Sequence, residues 1–232
     1  MKKLLTVVLT LLVAGCATVN SPQYTRKDPH RGSVVQPQEL ASIGLHRWSP
    51  VMLRIIKEDR VLELWKLNKE GEYIKAKTYE ICAVSGTLGP KKKQGDRQGP
   101  EGFYEITSSS LNPSSVEYLS FDTGYPNARD RAHNYSGSAL MVHGGCSSAG
   151  CYAITDPSMD EVYSAVRDAL AGGQRSVQLQ IYPFRMTAWR MLAEKKNPNY
   201  EFWKELKAGW DKFEQTTRPL IVDVKGGRYV IR

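Results

Sequence analysis

The chain has no apolar run long enough to cross a bilayer as a helix. The stretch Leu4 to Val13 is mostly apolar but only ten residues long, about half of what a membrane helix needs. Internal repeats and low-complexity tracts are absent, which excludes solenoid arrays. No basic motif interleaved with aromatics, of the kind that RNA-binding sheets carry, accompanies the formal charge of +8. Cysteine and histidine are scarce, with four of each, and no second pair of ligands is spaced as in a zinc knuckle. The few thiols and imidazoles present therefore carry much of the chemical information.

The first residues have the order of an export signal. Lys2 and Lys3 form a positive start, Leu4 to Val13 suits the apolar middle of a signal peptide, and Val13-Ala14-Gly15-Cys16 closes it. Small residues before a cysteine resemble the lipobox of bacterial lipoproteins, in which that cysteine becomes the lipidated N-terminus. The expected division is a lipoprotein signal peptide at 1–15, a lipidated tether at 16–45 and a folded domain at 46–232. Ala17, where aspartate would signal inner-membrane retention, points to the outer membrane. Residues 17–45 hold Asn20, Ser21, Pro22, Pro29, Gly32, Ser33 and Pro37 with few large apolar side chains, too little to offset the entropy of ordering. Loss of Lys2 and Lys3 with the leader takes two charges from +8 and leaves +6. That balance suits acidic lipid headgroups or an anionic wall polymer, and export argues against nucleic acid. The run Lys91-Lys92-Lys93 reads as a solvated loop.

Strand patterns dominate the first two thirds. Val51 to Leu67 reads as a hairpin split at Lys57-Glu58-Asp59-Arg60, and Glu72 to Val84 alternates as a further strand. Gly86 to Gly102, with five glycines and two prolines, is a long irregular loop of a kind that is often functional. Phe103 to Ile106 leaves it as a short strand, and Ser138 to Val142 reads as a buried strand running into His143. Helical periodicity begins only after the cysteines. A helix opens at Asp156-Pro157-Ser158, buries Val162, Val166, Ala169 and Leu170, and ends at Gly172-Gly173. Val177 to Phe184 is a strand. Helical pieces at 187–195 and 200–214 follow, the second with a packing stripe of Phe202, Leu206, Trp210 and Phe213. Leu220 to Arg232 reads as a terminal hairpin about Gly226-Gly227. The expected fold is mainly β with α+β character, its helices mostly C-terminal.

Chemistry concentrates in Leu140-Met141-Val142-His143-Gly144-Gly145-Cys146-Ser147-Ser148-Ala149-Gly150-Cys151-Tyr152-Ala153. A free thiol has a pKa near 8.5 and becomes a good nucleophile only when a neighbour holds it as thiolate. A histidine in hydrogen-bond reach does that and can then protonate a departing amine. Small residues between the two allow a tight turn, and the Gly150 and Cys151 N–H groups are candidate donors to an oxyanion. Spacing alone leaves three readings open: catalysis by Cys151 and His143, a small Cys146–Cys151 disulfide loop, or zinc held by His143, Cys146 and Cys151 with Cys82. If Cys16 is lipidated, three cysteines remain, so at least one is free. Cys82, in a strand-like run, reads as a buried small residue, and Cys146 as a residue able to switch Cys151 by disulfide formation.

The stretch resembles the signature of the YkuD-type L,D-transpeptidases, cysteine enzymes of peptidoglycan. His143-Gly144 matches its first part and Ser148-Ala149-Gly150-Cys151 its second. Pro100-Glu101-Gly102-Phe103-Tyr104 is similar to the strand that precedes the family's site. The likeness is closest to the YafK-like branch, through the shortened loop ending Cys151-Tyr152-Ala153. It extends to Ile81-Cys82-Ala83, Leu88-Gly89-Pro90-Lys91, Pro126 to His133 and Tyr182 to Thr187, and so covers roughly residues 50–230. Two departures stand out. Ala149 occupies a position where many members have a second histidine. Ala153 stands where many have an arginine suited to a substrate carboxylate.

The resemblance implies a β-sandwich catalytic core and no cofactor. It implies that Cys151 attacks the L-centre carbonyl of meso-diaminopimelate in a stem peptide, with His143 as base and the Gly144 carbonyl orienting it. Ser148 and Tyr152 beside the nucleophile are expected to contact substrate, and Arg131 and His133 to replace the missing charged groups. The thioester can pass to water or to an amine. The YafK-like branch is associated with the amidase outcome, which releases a wall-linked outer-membrane lipoprotein. Transpeptidation is the alternative, and a non-catalytic wall-binding lipoprotein is the rival from another class.

Overall fold

The computed structural model describes residues 45–232. The expected signal peptide, Cys16 and nearly all of the expected tether lie outside the described residues. Leu45, assigned to the tether from sequence, is buried in the domain.

Eleven strands and four helices make up the described chain. Strands β1 (Val51–Ile56) and β2 (Val61–Leu67) form the expected hairpin, and β3 (Tyr73–Val84) follows. After the loop come β4 (Gly102–Ile106), β5 (Leu111–Asn112), β6 (Ser120–Asp122), helix α1 (Ala128–Ala132), β7 (Met141–His143) and β8 (Tyr152–Ile154). Helix α2 (Asp156–Ala171), β9 (Val177–Tyr182), α3 (Ala188–Ala193) and α4 (Tyr200–Thr216) precede the hairpin of β10 (Val222–Lys225) and β11 (Arg228–Ile231). Nine strands hydrogen-bond in the order β4-β9-β1-β2-β3-β8-β7-β6-β5.

The twelve-residue β3 is the hinge of this sheet. Its first part pairs antiparallel with β2, and its end pairs with β8 after an irregularity between Ile81 and Ala83. A bulge bends a strand and lets it serve two sheet segments. The two arms thereby share one core, in which Leu53, Ile55 and Leu179 of one meet Phe121, Val142 and Ile154 of the other, with Val162 and Val166 of α2 between them.

Strand β1 is buried along its whole length because both faces are covered. Val51, Leu53 and Ile55 face this first core, while Met52 and Ile56 face a second core under α4 and the terminal hairpin. Period-two alternation places successive side chains on opposite faces. Helix α4 supplies Phe202, Trp203, Leu206, Trp210 and Phe213 to the second core, each worth about 1.5–3 kcal/mol when removed from water. The stripe read from sequence is thus a packing face.

A buried polar cluster fixes the long loop. The Lys57 ammonium donates to the carbonyls of Thr87, Gly89 and Gly99 and to the Glu101 carboxylate at 2.9 Å. Glu101, with no exposed side-chain surface, also accepts from the Gly89 N–H and from the Trp203 indole. Every donor of the ammonium has a partner, which is the condition under which a buried pair is tolerable. Of the lysine run, Lys92 and Lys93 are exposed, but Lys91 is buried against Asp96 and corrects the expectation of a wholly solvated run.

Other differences from the sequence reading are local. The strand before His143 spans only Met141–His143, because Ala139 adopts φ +56 and breaks the pairing. Helix α1 precedes the cysteines, held by an Asn127–Asp130 capping box too short to show periodicity. The N-cap of α2 is Thr155, with Asp156 inside the first turn.

Candidate active site

Parallel pairing of β7 with β8 builds the site. The register sets Val142 against Tyr152 and His143 against Ala153, which brings the end of one strand beside the start of the other. Cys151 lies just before β8, partly exposed, and lines the same cavity as His143, close enough to raise the pKa of the ring. The Met141 N–H donates to its sulfur at 3.4 Å, and the Ala139 carbonyl lies 3.6 Å away as an acceptor for the thiol.

The ring of His143 is buried and fixed. Its Nδ1 lies 2.6 Å from the Gly144 carbonyl oxygen. A carbonyl only accepts, so Nδ1 carries the proton and Nε2 is left for the sulfur. Burial lowers the pKa of His143. The hydrogen bond with Cys151, that with the Gly144 carbonyl, and the charges of Cys151 and Glu117 raise it by more, so the net shift is upward. These partners favour the imidazolium form of the ring.

The turn between the two residues is tightly constrained. Gly144 donates its N–H to the Leu119 carbonyl at 3.0 Å. A Cβ there would meet Asp156 Oδ1 at 2.7 Å and Glu117 O at 3.0 Å, so the position has no room for a side chain. The Gly145 N–H donates to Asp156 Oδ1 at 2.7 Å. Gly150 has φ +123, a value that glycine alone adopts readily. Ser148 closes the turn, its hydroxyl donating to the Cys151 carbonyl at 2.7 Å and accepting the Gly150 N–H at 3.3 Å.

The disulfide alternatives are corrected. Cys82 and Cys146 are joined across a sequence separation of 64, and Cys151 is free. Cys82 is therefore a half-buried tether between β3 and the active-site turn, not a buried small residue, and Cys146 does not pair with Cys151. Sulfurs joined in a disulfide are not thiolates, which also removes two ligands from the zinc reading.

A cavity of about 510 Å³ opens over the sulfur, lined by Met141, His143, Ser147, Ser148, Ala149 and Cys151 on one side and by Asn112 and Ser114 to Glu117 on the other. Ser148 reaches it. Tyr152 does not: its ring is fully buried and its hydroxyl donates to the Pro100 carbonyl at 2.6 Å, so it anchors the long loop and cannot touch substrate. Arg131 and His133 also lie away from it. Arg131 donates to the Pro126 carbonyl, and His133 Nδ1 is 2.9 Å from the Arg129 carbonyl, beside the Gly227 turn. Of the two expected oxyanion donors, the Gly150 N–H is already directed at Ser148. The wall formed by 112–117 was not marked from sequence, since a short polar stretch after Asn112-Pro113 carries no chemical signature.

Residues 51–215 match the family model described as the L,D-transpeptidase catalytic domain. The chain is 50% identical over 184 residues, 79% of its length and 74% of the relative's, to the "Putative L,D-transpeptidase YafK" of Escherichia coli strain K12, and equally to its counterpart in strain O157:H7. Among solved structures, the helical cell shape determining protein Pgp2 of Campylobacter jejuni aligns at 17% identity and TM-score 0.46, covering 80% of this chain and 79% of that one. Bd1075 of Bdellovibrio bacteriovorus aligns at 18% identity and TM-score 0.41, covering 80% and 77%.

Proposed function

We propose that this chain, which belongs to the L,D-transpeptidase catalytic-domain family, is a cell-envelope cysteine amidase acting on peptidoglycan stem peptides. The bond it cuts is the amide at the L-centre of meso-diaminopimelate, and its product is a lipoprotein released from the wall. The observation that carries the acyl-transfer chemistry is the free Cys151 thiol in one open cavity with a His143 ring whose Nδ1 is held by the Gly144 carbonyl.

The steps follow from that geometry. The Cys151 thiolate attacks the amide carbonyl carbon and forms the C–S bond. The C–N bond then breaks, and the imidazolium delivers its Nε2 proton to the departing nitrogen. The thioester is cleaved by water, whose proton returns to Nε2 as the C–S bond breaks and the thiolate re-forms. Pinning Nδ1 confines the proton traffic to Nε2, the nitrogen that faces the sulfur. The chemistry needs no cofactor.

Support for water as acceptor is the character of the cavity wall. Ala149 puts no second histidine in the lining, Ala153 is buried away from it, and no lysine or arginine is among the lining residues to grip the carboxylate of an incoming stem. Transpeptidation, giving cross-links or lipoprotein anchors, shares the same thioester and is the second reading. The ordered signal, lipobox and Ala17 support a lipid-anchored protein at the periplasmic face of the outer membrane.

The test is incubation of the chain, and of its Cys151→Ala variant, with peptidoglycan carrying bound lipoprotein. Muropeptides and released protein are read by mass spectrometry. Cys151-dependent release of lipoprotein is expected. New diaminopimelate cross-links in its place would make the enzyme a transpeptidase. No Cys151-dependent change of either kind would overturn the peptidoglycan assignment and favour a wall-binding module.

A further inference from the structure

The cavity that holds the nucleophile carries one carboxylate among its lining residues. Glu117 lines the same cavity as His143 and Cys151. Its Oε2 lies 3.0 Å from the position of a Cβ built on Gly145, the second residue after the catalytic histidine. Among the described residues no lysine or arginine forms an ion pair with it, and its carboxylate is only partly exposed. The other nearby acid, Asp156, is engaged by the Gly145 N–H at 2.7 Å. Among the described residues no lysine or arginine lines the cavity.

The segment that presents this carboxylate is held on several sides. The Glu117 N–H donates to the Ser115 hydroxyl at 3.2 Å. Tyr118 sits at φ +74, where a bulky residue is strained, and its hydroxyl donates to Asp160 at 2.7 Å. Leu119 accepts the Gly144 N–H. A non-glycine residue kept in this backbone region by contacts on both sides is a mark of functional positioning. The protein as a whole is strongly basic, so this carboxylate sets a local field against the global one.

Resting on the acyl-transfer reading above, we infer that Glu117 is a specificity-determining residue that holds the primary ammonium of the amine leaving, or attacking, the Cys151 acyl-enzyme. The departing nitrogen receives its first proton from His143 Nε2 as the C–N bond breaks. A free alkylamine then takes a second proton from solvent, because its pKa is near that of a lysine side chain. The resulting cation forms beside His143, on the wall that Glu117 occupies. In the reverse sense the same carboxylate gathers a lysine-like ammonium, which must first give one proton to solvent; the neutral amine then attacks, passing a second proton to His143 Nε2 as the C–N bond forms and the C–S bond breaks. The charge of Glu117 also bears on His143, raising its pKa.

The experiment reads charge selection directly at the thiol. The full chain carrying Cys16→Ser, in mild detergent, keeps Cys151 as its free thiol, since Cys82 and Cys146 are joined. Rates of modification by trimethylammonioethyl, sulfonatoethyl and uncharged methyl methanethiosulfonate are followed by intact mass, with and without Glu117→Gln. The cationic reagent is expected to be favoured despite the basic surface, and Glu117→Gln to cut the cation-to-anion ratio about 5–10-fold. Dividing each charged-reagent rate by that of the uncharged reagent removes any change in thiol reactivity passed through His143, and Glu117→Asp should restore most of the ratio. In the parent chain the ratio should also fall as salt is raised from about 0.01 to 1 M, because the screening length shrinks from about 30 to 3 Å. This reading needs no substitution and holds if a variant misfolds. An unchanged ratio in Glu117→Gln, or a salt-independent one in the parent, would overturn the inference. Because the thiol probes need no peptidoglycan, failure of the amidase reading and failure of this one are distinguishable.

Discussion

The Cys82–Cys146 disulfide joins the hinge strand β3 to the turn that carries the active site, and its removal has a calculable effect. The paired Cys82→Ala and Cys146→Ala substitution opens a loop of 64 residues. Chain-entropy treatment of such a loop gives a loss of about 4 kcal/mol, arising mainly in the unfolded chain. Removing both sulfurs leaves no orphaned hydrogen-bond group, so the effect is not inflated by a buried polar remnant. In a domain of this size about 4 kcal/mol lowers Tm by roughly 8–16 °C. Urea unfolding should show a lower midpoint and a steeper slope, since the unfolded chain, freed of its cross-link, exposes more surface. The effect should reach the site as well, because Cys146 follows Gly144 and Gly145, which fix the ring of His143. Uncharged alkylation of Cys151 should therefore slow. A stability change below about 1 kcal/mol would refute the reasoning and show that the turn is held by its hydrogen bonds alone.

Three further outcomes follow from the same structure. Gly144→Ala places a methyl group against Asp156, Glu117 and Tyr118. It should cost about 1–3 kcal/mol by overpacking and, by tilting His143, about 100-fold in the rate of Cys151 acylation; full activity would show that the clash is relieved elsewhere. Lys57→Met strands the Glu101 carboxylate without exposed surface and should cost about 3–5 kcal/mol in urea unfolding, part of it recovered by adding Glu101→Gln. Burial raises the carboxyl of Asp130 to about 6, against the lowering by Asn127, Tyr104, Arg129 and His133. With the folded value above the unfolded one, its favourable contribution is complete below about pH 4 and lost as pH rises through about 6, a change of roughly 3 kcal/mol. Asp130→Asn should flatten stability between pH 4 and 7, and an unaltered slope would contradict that assignment.

The larger elements were legible because their patterns are long and regular. The hairpins at 51–67 and 220–232 and the stripe of α4 announce themselves by alternation and by helical spacing, since both depend on which face is buried. Residues 107–135 were not, because β5 and β6 have only two and three residues and α1 five, below any period. His143, Gly144 and Cys151 stood out through one compact motif, and the structure brings them together. Tyr152 was misread because position beside a nucleophile says nothing of facing, and strand alternation turns it inward. The partner of Cys82 was beyond reach of sequence, since pairing over 64 residues depends on the bend in β3. Glu117 was hidden for the same reason: its relation to His143 exists only once the 112–117 wall folds across the cavity.

The most direct test of Cys151 as the nucleophile is intact-protein mass spectrometry after rapid acid quench of the enzyme mixed with lipoprotein-linked stem peptides. Acid halts thioester turnover. An adduct with the mass of the acyl stem, mapped to the peptide bearing Cys151, accumulating with His143 present and absent in Cys151→Ala, is the expected result. An adduct on another residue, or product formation undiminished in Cys151→Ala, would contradict it.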